Sequence, residues 1–363
     1  MTMDEKTGMN NLFLATESLA PGNGGVARVA RLMARVIGEE AEQNGLGARC
    51  LSFSDQQFEG EDFLDGGTAR GSRWRYVLQV QLAALGCTHF IYDFLGMSRA
   101  HGRLPCFRRP YMSWIHGVEV WEDARPDRLE CARRADMLLC NSYFTREIAD
   151  ELHGGFSDAR VCWLGTETDE RPSENISDGQ VPTVLIVGRM QAGRDKGHRA
   201  LIDAWPEVVS AVPHAVLRIV GTGSDEDALR RRAEDSPVSG RIVFEGFVSE
   251  AKLDQMYQEA SVFAMPSRGE GFGLVYIEAM RHGLPVVASI HDAAPEIVID
   301  GQTGYAVDLG REDELSGALI GLLQNPERAH ETGRAGQRPW EENFTYSAFR
   351  SRFRRHLHDF LEI

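Results

Sequence analysis

The sequence lacks the features that mark disulfide-linked, zinc-binding and membrane-spanning proteins. Its six cysteines include no C-x-x-C pair, and none lies in the second half of the chain, which fits neither a disulfide framework nor a zinc site. No run of about eighteen apolar residues occurs, so no membrane-spanning helix is expected. Residues 1–10 have no apolar core of the kind found in secretory signals. We therefore expect a cytoplasmic protein with reduced cysteines, most of them in the core.

Sustained positive charge is also missing. The 363-residue chain has a formal net charge of −15 at pH 7, and no long basic run suggests a nucleic-acid-binding patch apart from the last predicted helix, residues 346–361. A chain this acidic repels the phosphate backbone of nucleic acids. The charge therefore argues against a nucleic-acid-binding protein.

Short apolar runs alternate with longer amphipathic ones, which predicts parallel sheets covered by helices. The length predicts two domains, and segment 166–181, rich in Glu, Asp, Ser and Pro, is the predicted linker. Strand candidates before it are residues 12–16, 51–53, 89–92, 111–115, 137–140 and 161–164. Those after it are residues 183–187, 216–220, 242–244, 262–265, 286–288 and 305–307. The pattern predicts two Rossmann-like α/β domains that face a cleft.

A glycine-rich turn between two glutamates is the most informative motif. Glu270 follows an apolar strand, Gly273 opens an apolar helical run, and Glu278 lies on that helix. Unpaired N–H groups at a helix start suit a diphosphate, and nearby carboxylates can accept hydrogen bonds from sugar or ribose hydroxyls. The motif therefore indicates nucleotide-sugar chemistry.

The E-x-F-G-x4-E-A pattern, preceded by Val187-Gly188-Arg189 and Lys196-Gly197, resembles that of the family 4 retaining glycosyltransferases. The resemblance covers nearly the whole chain and implies GT-B architecture. It implies an acceptor-side domain at residues 1–172, a donor-binding domain at 173–344, and a C-terminal helix at 345–363 that packs back on the first domain. It also implies a hexosyltransferase of bacterial polysaccharide or glycoconjugate synthesis. The expected donor is linked to UDP or GDP, the acceptor is a glycan, glycolipid or small molecule, and no cofactor is expected.

The resemblance assigns roles to residues in both predicted domains. The donor phosphates are expected to contact Gly24, Gly25, Arg189, Lys196, Gly273, Leu274 and Val275. The nucleoside is expected to contact Gly221, Phe247, Val248 and Glu278, and the transferred sugar is expected to contact Glu270, Gly271 and Phe272. Asn141 and Ser142 are expected near the acceptor, although this pair equally suits a helix cap.

Glu270 and His116 are the expected catalytic residues. His116 ends an apolar strand, and the resemblance places it beside the transferred sugar, where it can interact with a hydroxyl and with developing positive charge. A structural core histidine is the alternative interpretation. Glu270 is expected to orient the sugar rather than to act as the covalent nucleophile of a retaining glycosidase.

Two further motifs bear on the reaction class. Arg189 and Lys196 supply the positive charge that a diphosphate leaving group needs, and no D-x-D motif suggests a metal, so metal-independent catalysis is expected. Gly221-Thr222-Gly223 fails the dinucleotide fingerprint because Glu226 occupies the third glycine position. An NAD(P)-dependent oxidoreductase is therefore disfavoured.

Several alternatives stay open at this point. A nucleotide-sugar 2-epimerase or a non-catalytic sugar-nucleotide-binding subunit could share the same fold. Segment 55–75 carries no motif and is interpreted as a flexible lid over the acceptor. The arginines of the last helix form either a solvated face or a peripheral contact with anionic lipid at the inner face of a membrane.

Overall fold

The computed structural model describes residues 11–57, 65–102, 106–121, 124–172 and 181–362. The chain divides into two compact units: unit 1 is Met1–Glu167 with Tyr346–Ile363, and unit 2 is Thr168–Thr345. The structure places the boundary between the two units after Glu167, whereas the sequence predicted it after residue 172. The physical reason is a pair of contacts on either side: Glu167 accepts hydrogen bonds from Arg31 of unit 1, whereas the Glu170 carbonyl accepts one from Arg281 of unit 2.

Unit 1 is built on a seven-stranded parallel sheet in the order β3-β2-β1-β4-β5-β6-β7. Its strands are β1 (Asn11–Thr16), β2 (Gly47–Ser52), β3 (Asp65–Thr68), β4 (His89–Tyr92), β5 (Tyr111–Ile115), β6 (Met137–Cys140) and β7 (Arg160–Val161). Its first five helices are α1 (Gly25–Asn44), α2 (Arg73–Ala83), α3 (Leu95–Ser98), α4 (Pro126–Arg134) and α5 (Tyr143–His153). The central strands are almost continuously buried because helices cover both faces of the sheet.

Unit 2 is built on a six-stranded parallel sheet in the order β10-β9-β8-β11-β12-β13. Its strands are β8 (Thr183–Val187), β9 (Val216–Val220), β10 (Ile242–Gly246), β11 (Val262–Ala264), β12 (Val286–Ser289) and β13 (Gly304–Val307). Its helices are α6 (His198–Ala211), α7 (Glu226–Glu234), α8 (Glu250–Glu259), α9 (Leu274–Arg281), α10 (Glu314–Leu323) and α11 (Pro326–Asn343). Two parallel-sheet, Rossmann-like units confirm the predicted fold class.

Two edge strands of unit 1 differ from the sequence prediction. β3 lies inside the segment interpreted as a lid, where it pairs with β2 from Asp65 to Thr68. Its sequence, DGGT, has no apolar alternation, because an edge strand gains its order from backbone pairing rather than from burial. β7 is shorter than predicted, since only Arg160 and Val161 pair with β6. Residues 58–64 of the predicted lid lie outside the described part of the chain.

The last helix, α12 (Tyr346–Leu361), belongs to unit 1. Its apolar face, including Phe349 and Phe353, is fully buried, and the rings of these two residues pack on Trp114 with centroids 6.3 and 6.1 Å away. Tyr346 donates a hydrogen bond to Glu39 of α1 over 2.7 Å. Helix α12 therefore packs against β5 through Trp114.

Five of the six cysteines are buried and Cys106 is exposed, so the core prediction holds for all but Cys106. Burial raises the pKa of the Cys162 thiol to about 12, which keeps it protonated and unreactive. Among the described residues, no helix combines the length and the hydrophobicity that crossing a bilayer requires.

Candidate active site

In unit 2, glycines join the ends of three neighbouring strands. The Gly221 N–H, after β9, donates to the Gly246 carbonyl at the end of β10 over 2.8 Å, and the Gly188 N–H donates to the Val220 carbonyl over 3.0 Å. Gly221 has φ +126°, and a Cβ there would lie 2.1 Å from the Gly188 carbonyl oxygen. Only glycine fits such an approach. The loops that carry Arg189 and Phe247 therefore start from the same edge of the sheet.

Lys196 and Glu270 form an ion pair at this edge. Lys196 lies in the loop between β8 and α6, and its Nζ donates to Glu270 Oε2 in the loop between β11 and α9. The two side chains are only 24% and 19% exposed. Partial burial strengthens their attraction relative to an exposed pair. The structure thus brings together two residues that the sequence assigned to one site from motifs 74 positions apart.

Gly273 shapes the turn between Glu270 and α9. Its φ is +94°, and a Cβ would lie 2.2 Å from the Tyr276 ring and 3.3 Å from Glu270 Cγ. The Tyr276 hydroxyl in turn donates to the Met265 carbonyl over 2.8 Å. A larger residue at position 273 would push both neighbours away. The turn therefore holds the Glu270 side chain beside the start of α9.

Three helices begin after a glycine with positive φ: α1 after Gly24, α6 after Gly197 and α9 after Gly273. Within the described part of the chain, no side chain caps these three starts, and the same holds for α2, α4, α7 and α10, which do not follow a glycine. In contrast, α5, α8 and α11 are capped by a Ser or Asn side chain that accepts a backbone N–H. Uncapped helix starts leave N–H donors and a partial positive charge available to an anion. The starts of α1 and α9 carry residues that the sequence predicted as phosphate contacts, and the predicted contact Lys196 lies just before the start of α6.

Asp292 was not predicted from the sequence, although it lies just beyond the carboxyl end of β12. It is 3% exposed, and its Oδ2 accepts the backbone N–H of Glu270 over 3.2 Å while Oδ1 accepts that of Ala294 over 3.0 Å. Burial, followed by the charge of Glu270, raises the pKa of Asp292 to about 7. This carboxyl fixes the backbone of the predicted catalytic glutamate. The rule that ligands bind at strand ends could have pointed to it.

The predicted nucleoside and sugar residues occupy different surroundings. Glu278 Oε2 accepts a hydrogen bond from the Tyr257 hydroxyl over 2.9 Å, and Phe247 is 71% exposed. Val248 is half-buried. The Phe272 side chain is buried against Phe344, so only its backbone is available to a sugar. Gly271 is also buried, and Arg189 is exposed.

In unit 1, His116 is held at the end of β5 by backbone contacts. The ring atom Nε2 lies 2.7 Å from the Asp93 carbonyl oxygen, and the backbone N–H of His116 donates to Glu119 Oε1 over 2.6 Å. A carbonyl oxygen only accepts, so Nε2 carries the proton and Nδ1 of the neutral ring is an acceptor. The Trp114 ring stacks on the imidazole with centroids 6.0 Å apart. The Trp114 ring therefore helps to fix the orientation of His116, and Phe349 and Phe353 of α12 pack on Trp114 in turn.

Asn141 and Ser142 have separate roles in the structure. Asn141 is buried, and its Nδ2 donates to the His116 carbonyl over 3.2 Å. Ser142 accepts the Thr145 N–H over 3.0 Å and so caps α5, as one of the two predicted interpretations required. Asn141 therefore belongs structurally to the His116 corner.

Asp55 anchors the chain at Ser18 and Leu19, just before the glycine loop of unit 1. This buried carboxylate accepts the Leu19 N–H over 2.7 Å and hydrogen bonds from the hydroxyls of Ser18 and Ser52. Asn23 Nδ2 donates to Ser18 Oγ over 2.7 Å, and the exposed Gly24 and Gly25 follow. Asp55 was interpreted from the sequence as the start of a flexible lid. That interpretation is wrong for Asp55, because burial and these hydrogen bonds make it an anchor.

The chain is similar to glycosyltransferases of known activity. Residues 181–325 match the family model described as glycosyl transferases group 1. The chain is 35% identical, over 63% of its length and 65% of the relative's, to a GDP-mannose-dependent alpha-(1-6)-phosphatidylinositol monomannoside mannosyltransferase of Mycolicibacterium smegmatis. It is 28% identical, over 92% and 94% of the two lengths, to the enzyme of that name from Mycobacterium tuberculosis. These similarities support a family 4-type glycosyltransferase of group 1.

Solved structures agree with this assignment at the level of the fold. The chain matches a sucrose-phosphate synthase of Thermosynechococcus elongatus with TM-score 0.78 and 19% identity, over 97% of this chain and 100% of that one. It matches Anabaena Alr3699/HepE, solved with UDP and glucose, with TM-score 0.75 and 18% identity, over 96% and 99% of the chains. These matches confirm the predicted GT-B fold.

Proposed function

We propose that this glycosyltransferase transfers mannose from GDP-mannose to a phosphoinositide glycolipid, with retention of configuration and without a metal ion. The relatives named above are GDP-mannose-dependent enzymes that act on a phosphatidylinositol monomannoside, and one aligns over nearly the whole chain. The observation that carries the chemistry is the Lys196–Glu270 pair beside the uncapped start of α9. A cytoplasmic location stays a prediction.

Lys196 can bind a diphosphate while it keeps its hydrogen bond to Glu270. An ammonium group has three N–H donors, and Glu270 Oε2 takes one of them. The other two are available to the β-phosphate, on which negative charge develops as the glycosyl bond breaks. The backbone N–H groups of Leu274 and Val275 at the start of α9 would donate further hydrogen bonds to the same phosphate. The diphosphate can therefore leave without a cation from solution.

Glu270 would orient the transferred sugar. Its carboxylate is held by Lys196 on one side and by the Gly273 turn on the other, and its backbone N–H is held by Asp292. A carboxylate fixed in this way accepts hydrogen bonds from sugar hydroxyls at a defined distance. The ion pair with Lys196 fits a positioning role better than that of a nucleophile, since it reduces the electron density on the carboxylate.

His116 supplies a complementary group in unit 1. The acceptor atom Nδ1, fixed by the Nε2 contact with Asp93, can take a hydrogen bond from a hydroxyl of the transferred sugar. The His116 carbonyl, which Asn141 holds, adds a dipole that would favour positive charge at the anomeric carbon. We therefore assign His116 to stabilisation of the transition state rather than to proton transfer.

A transfer assay with the purified full chain tests the function. The protein is incubated with GDP-mannose and a phosphatidylinositol monomannoside, and the lipid product is measured by mass spectrometry. We expect a product one hexose heavier, and we expect that α-mannosidase removes this hexose. Parallel reactions with UDP-glucose and UDP-N-acetylglucosamine should give no product. Transfer from a UDP-sugar alone would refute the donor assignment, and epimerised donor without a lipid product would refute transfer altogether.

A further inference from the structure

Two side-chain bridges join α8 to α9 in unit 2. The Tyr257 hydroxyl donates to Glu278 Oε2 over 2.9 Å. One turn earlier in α8, Asp254 Oδ1 accepts from Arg281 Nη1 over 3.2 Å and lies 3.1 Å from His282 Nε2. Residues three or four apart share one side of a helix, so one side of α8 faces one side of α9. Tyr257 is therefore placed against the carboxylate that the sequence predicts as a nucleoside contact.

The Tyr257 ring is fixed by packing. It is 2% exposed, and the His282 ring stacks on it with centroids 5.1 Å apart and an angle of 21° between the planes. Phe263 of β11 also packs on the ring, with its centroid 5.8 Å away. Burial lowers the pKa of His282 to about 4, so the stacked imidazole is uncharged at neutral pH. The Tyr257 hydroxyl therefore has a defined position relative to α9.

Glu278 benefits from such a contact because it is only half-buried. A glutamate side chain has several rotatable bonds, and ordering them when a ligand binds costs affinity. The hydrogen bond from Tyr257 orders the carboxylate beforehand. The two carboxylate oxygens offer about four acceptor positions in total, and Tyr257 uses one of them. The carboxylate can therefore accept hydrogen bonds from two neighbouring hydroxyl groups while it stays bound to Tyr257.

We propose that Tyr257 is a positioning residue of the nucleoside site: it holds Glu278 so that the carboxylate accepts hydrogen bonds from both hydroxyls of a ribose. The site then selects ribonucleotides over deoxyribonucleotides, because a half-buried carboxylate loses hydrogen bonds when those hydroxyls are missing. This role rests on the proposed function, since the ribose belongs to the nucleotide of the sugar donor. It extends the site to a residue of α8, outside the glycine-rich turn and α9.

Calorimetric titration of the full chain with GDP and with 2′,3′-dideoxy-GDP tests this role. The wild type should bind GDP about tenfold more tightly or better, because the ribose hydroxyls donate to a charged acceptor. Y257F removes only the hydroxyl and keeps the packed ring. It should weaken GDP binding about fivefold and leave dideoxy-GDP binding unchanged, since the Tyr257 hydroxyl and the ribose hydroxyls act through the same carboxylate.

Steady-state kinetics of the same variant should separate KM from kcat. The ribose lies away from the glycosyl bond that breaks, so its contacts stabilise the ground state and the transition state equally. Y257F should therefore raise the KM for GDP-mannose about fivefold and leave kcat within about twofold of the wild type. A lower kcat at unchanged KM would place Tyr257 in the chemical step and contradict a role in nucleoside binding.

D254N is the matched control, because it removes the second bridge between α8 and α9 and leaves the Tyr257 hydroxyl in place. It should bind GDP within about twofold of the wild type. The free energy of unfolding is measured for both variants by chemical denaturation. Equal losses of GDP affinity in D254N and Y257F would show that helix packing is the cause and would overturn the proposal. So would wild-type GDP affinity in Y257F, or equal losses with GDP and dideoxy-GDP.

The role of Tyr257 and the proposed function can fail separately. UDP and 2′,3′-dideoxy-UDP differ in the same ribose hydroxyls, so a UDP-dependent enzyme would refute the GDP-mannose assignment and still give the same test of Tyr257. If Y257F shows the expected selectivity for GDP but no mannose is transferred, the proposed function fails and the role of Tyr257 stands. If mannose is transferred with equal KM by wild type and Y257F, only the role of Tyr257 fails. Binding of neither GDP nor UDP would refute both.

Discussion

The Lys196–Glu270 corner of unit 2 and the His116 corner of unit 1 are held in different ways. In unit 2 two charged side chains hold each other. In unit 1 the imidazole is held by a backbone carbonyl, and the backbone of His116 is held by Asn141 and Glu119. The first arrangement depends on residue type at both positions. In the second, the ring depends on one backbone carbonyl, and residue type matters only at Asn141 and Glu119, which hold the backbone of His116.

This difference has a functional consequence. A side-chain pair such as Lys196 and Glu270 can exchange partners when a charged ligand arrives, because an ammonium group can be shared. A ring fixed through the backbone keeps its orientation whether or not a ligand is present. We therefore expect substitutions in the unit 2 corner to remove chemistry, and substitutions around His116 to disturb position.

The largest effect is expected from breaking the side-chain pair. K196A and E270A should each lower kcat by about a hundredfold or more, since in the proposed mechanism each removes a group that acts in the transition state. The double variant should lose less than the product of the two, because each single variant also leaves its partner uncompensated. Steady-state mannosyl transfer measures both effects. R194A, which removes a nearby charge outside the pair, is the control, and near-normal rates for K196A or E270A would refute the assignment.

A smaller effect is expected at the His116 corner. N141A removes the donor to the His116 carbonyl and should lower kcat/KM by about tenfold, roughly the contribution of one buried hydrogen bond. S142A is the matched control: it removes the cap of α5, and should lower the free energy of unfolding by about 1 kcal/mol without changing kcat/KM. Activity and chemical denaturation are measured on both variants. Equal activity losses would show that the two residues contribute through a shared structural effect.

The same contrast explains what the sequence could predict. Glu270 and Lys196 were found because charged residues beside glycines are visible in a sequence, and the central strands were found because burial makes them continuously apolar. Asp292 was missed because it accepts the backbone N–H groups of Glu270 and Ala294, and backbone partners leave no trace in residue types. Asp55 was missed as an anchor because the Leu19 N–H and the hydroxyls of Ser18 and Ser52, from which it accepts hydrogen bonds, form no recognisable motif in the sequence. β3 was missed because an edge strand needs no apolar pattern.

Asp292 should produce a moderate, pH-dependent effect on stability. Its pKa of about 7 in the folded state lies above its ordinary value of 3.8, so the folded protein holds a proton that the unfolded chain releases. The stabilising contribution is therefore complete below pH of about 4 and is lost as the pH rises through 7. D292N removes this dependence. We expect the difference in Tm, wild type minus D292N, to be about 3 °C larger at pH of about 5 than at pH of about 8.

The Tm of the wild type has to be compared with that of D292N because buried histidines also make stability depend on pH. Burial lowers the pKa of His101, His198 and His282 to about 4, so their contributions to stability are lost as the pH falls, which is opposite in sign to that of Asp292. They are common to wild type and D292N and cancel in the difference. Calorimetric scans across the pH range give the measurement. A Tm difference independent of pH would mean that Asp292 titrates in the folded protein near its ordinary pKa.

The smallest effect is expected from metal removal. In the proposed mechanism, Lys196 and the uncapped start of α9 supply the positive charge that a departing diphosphate needs, so EDTA should leave kcat and KM unchanged. The control is the same assay with added Mg²⁺. If EDTA abolished transfer and Mg²⁺ restored it, the charge at the leaving group would come from the ion. Lys196 would then serve mainly to hold Glu270, and the unit 2 corner would be a positioning device like that around His116.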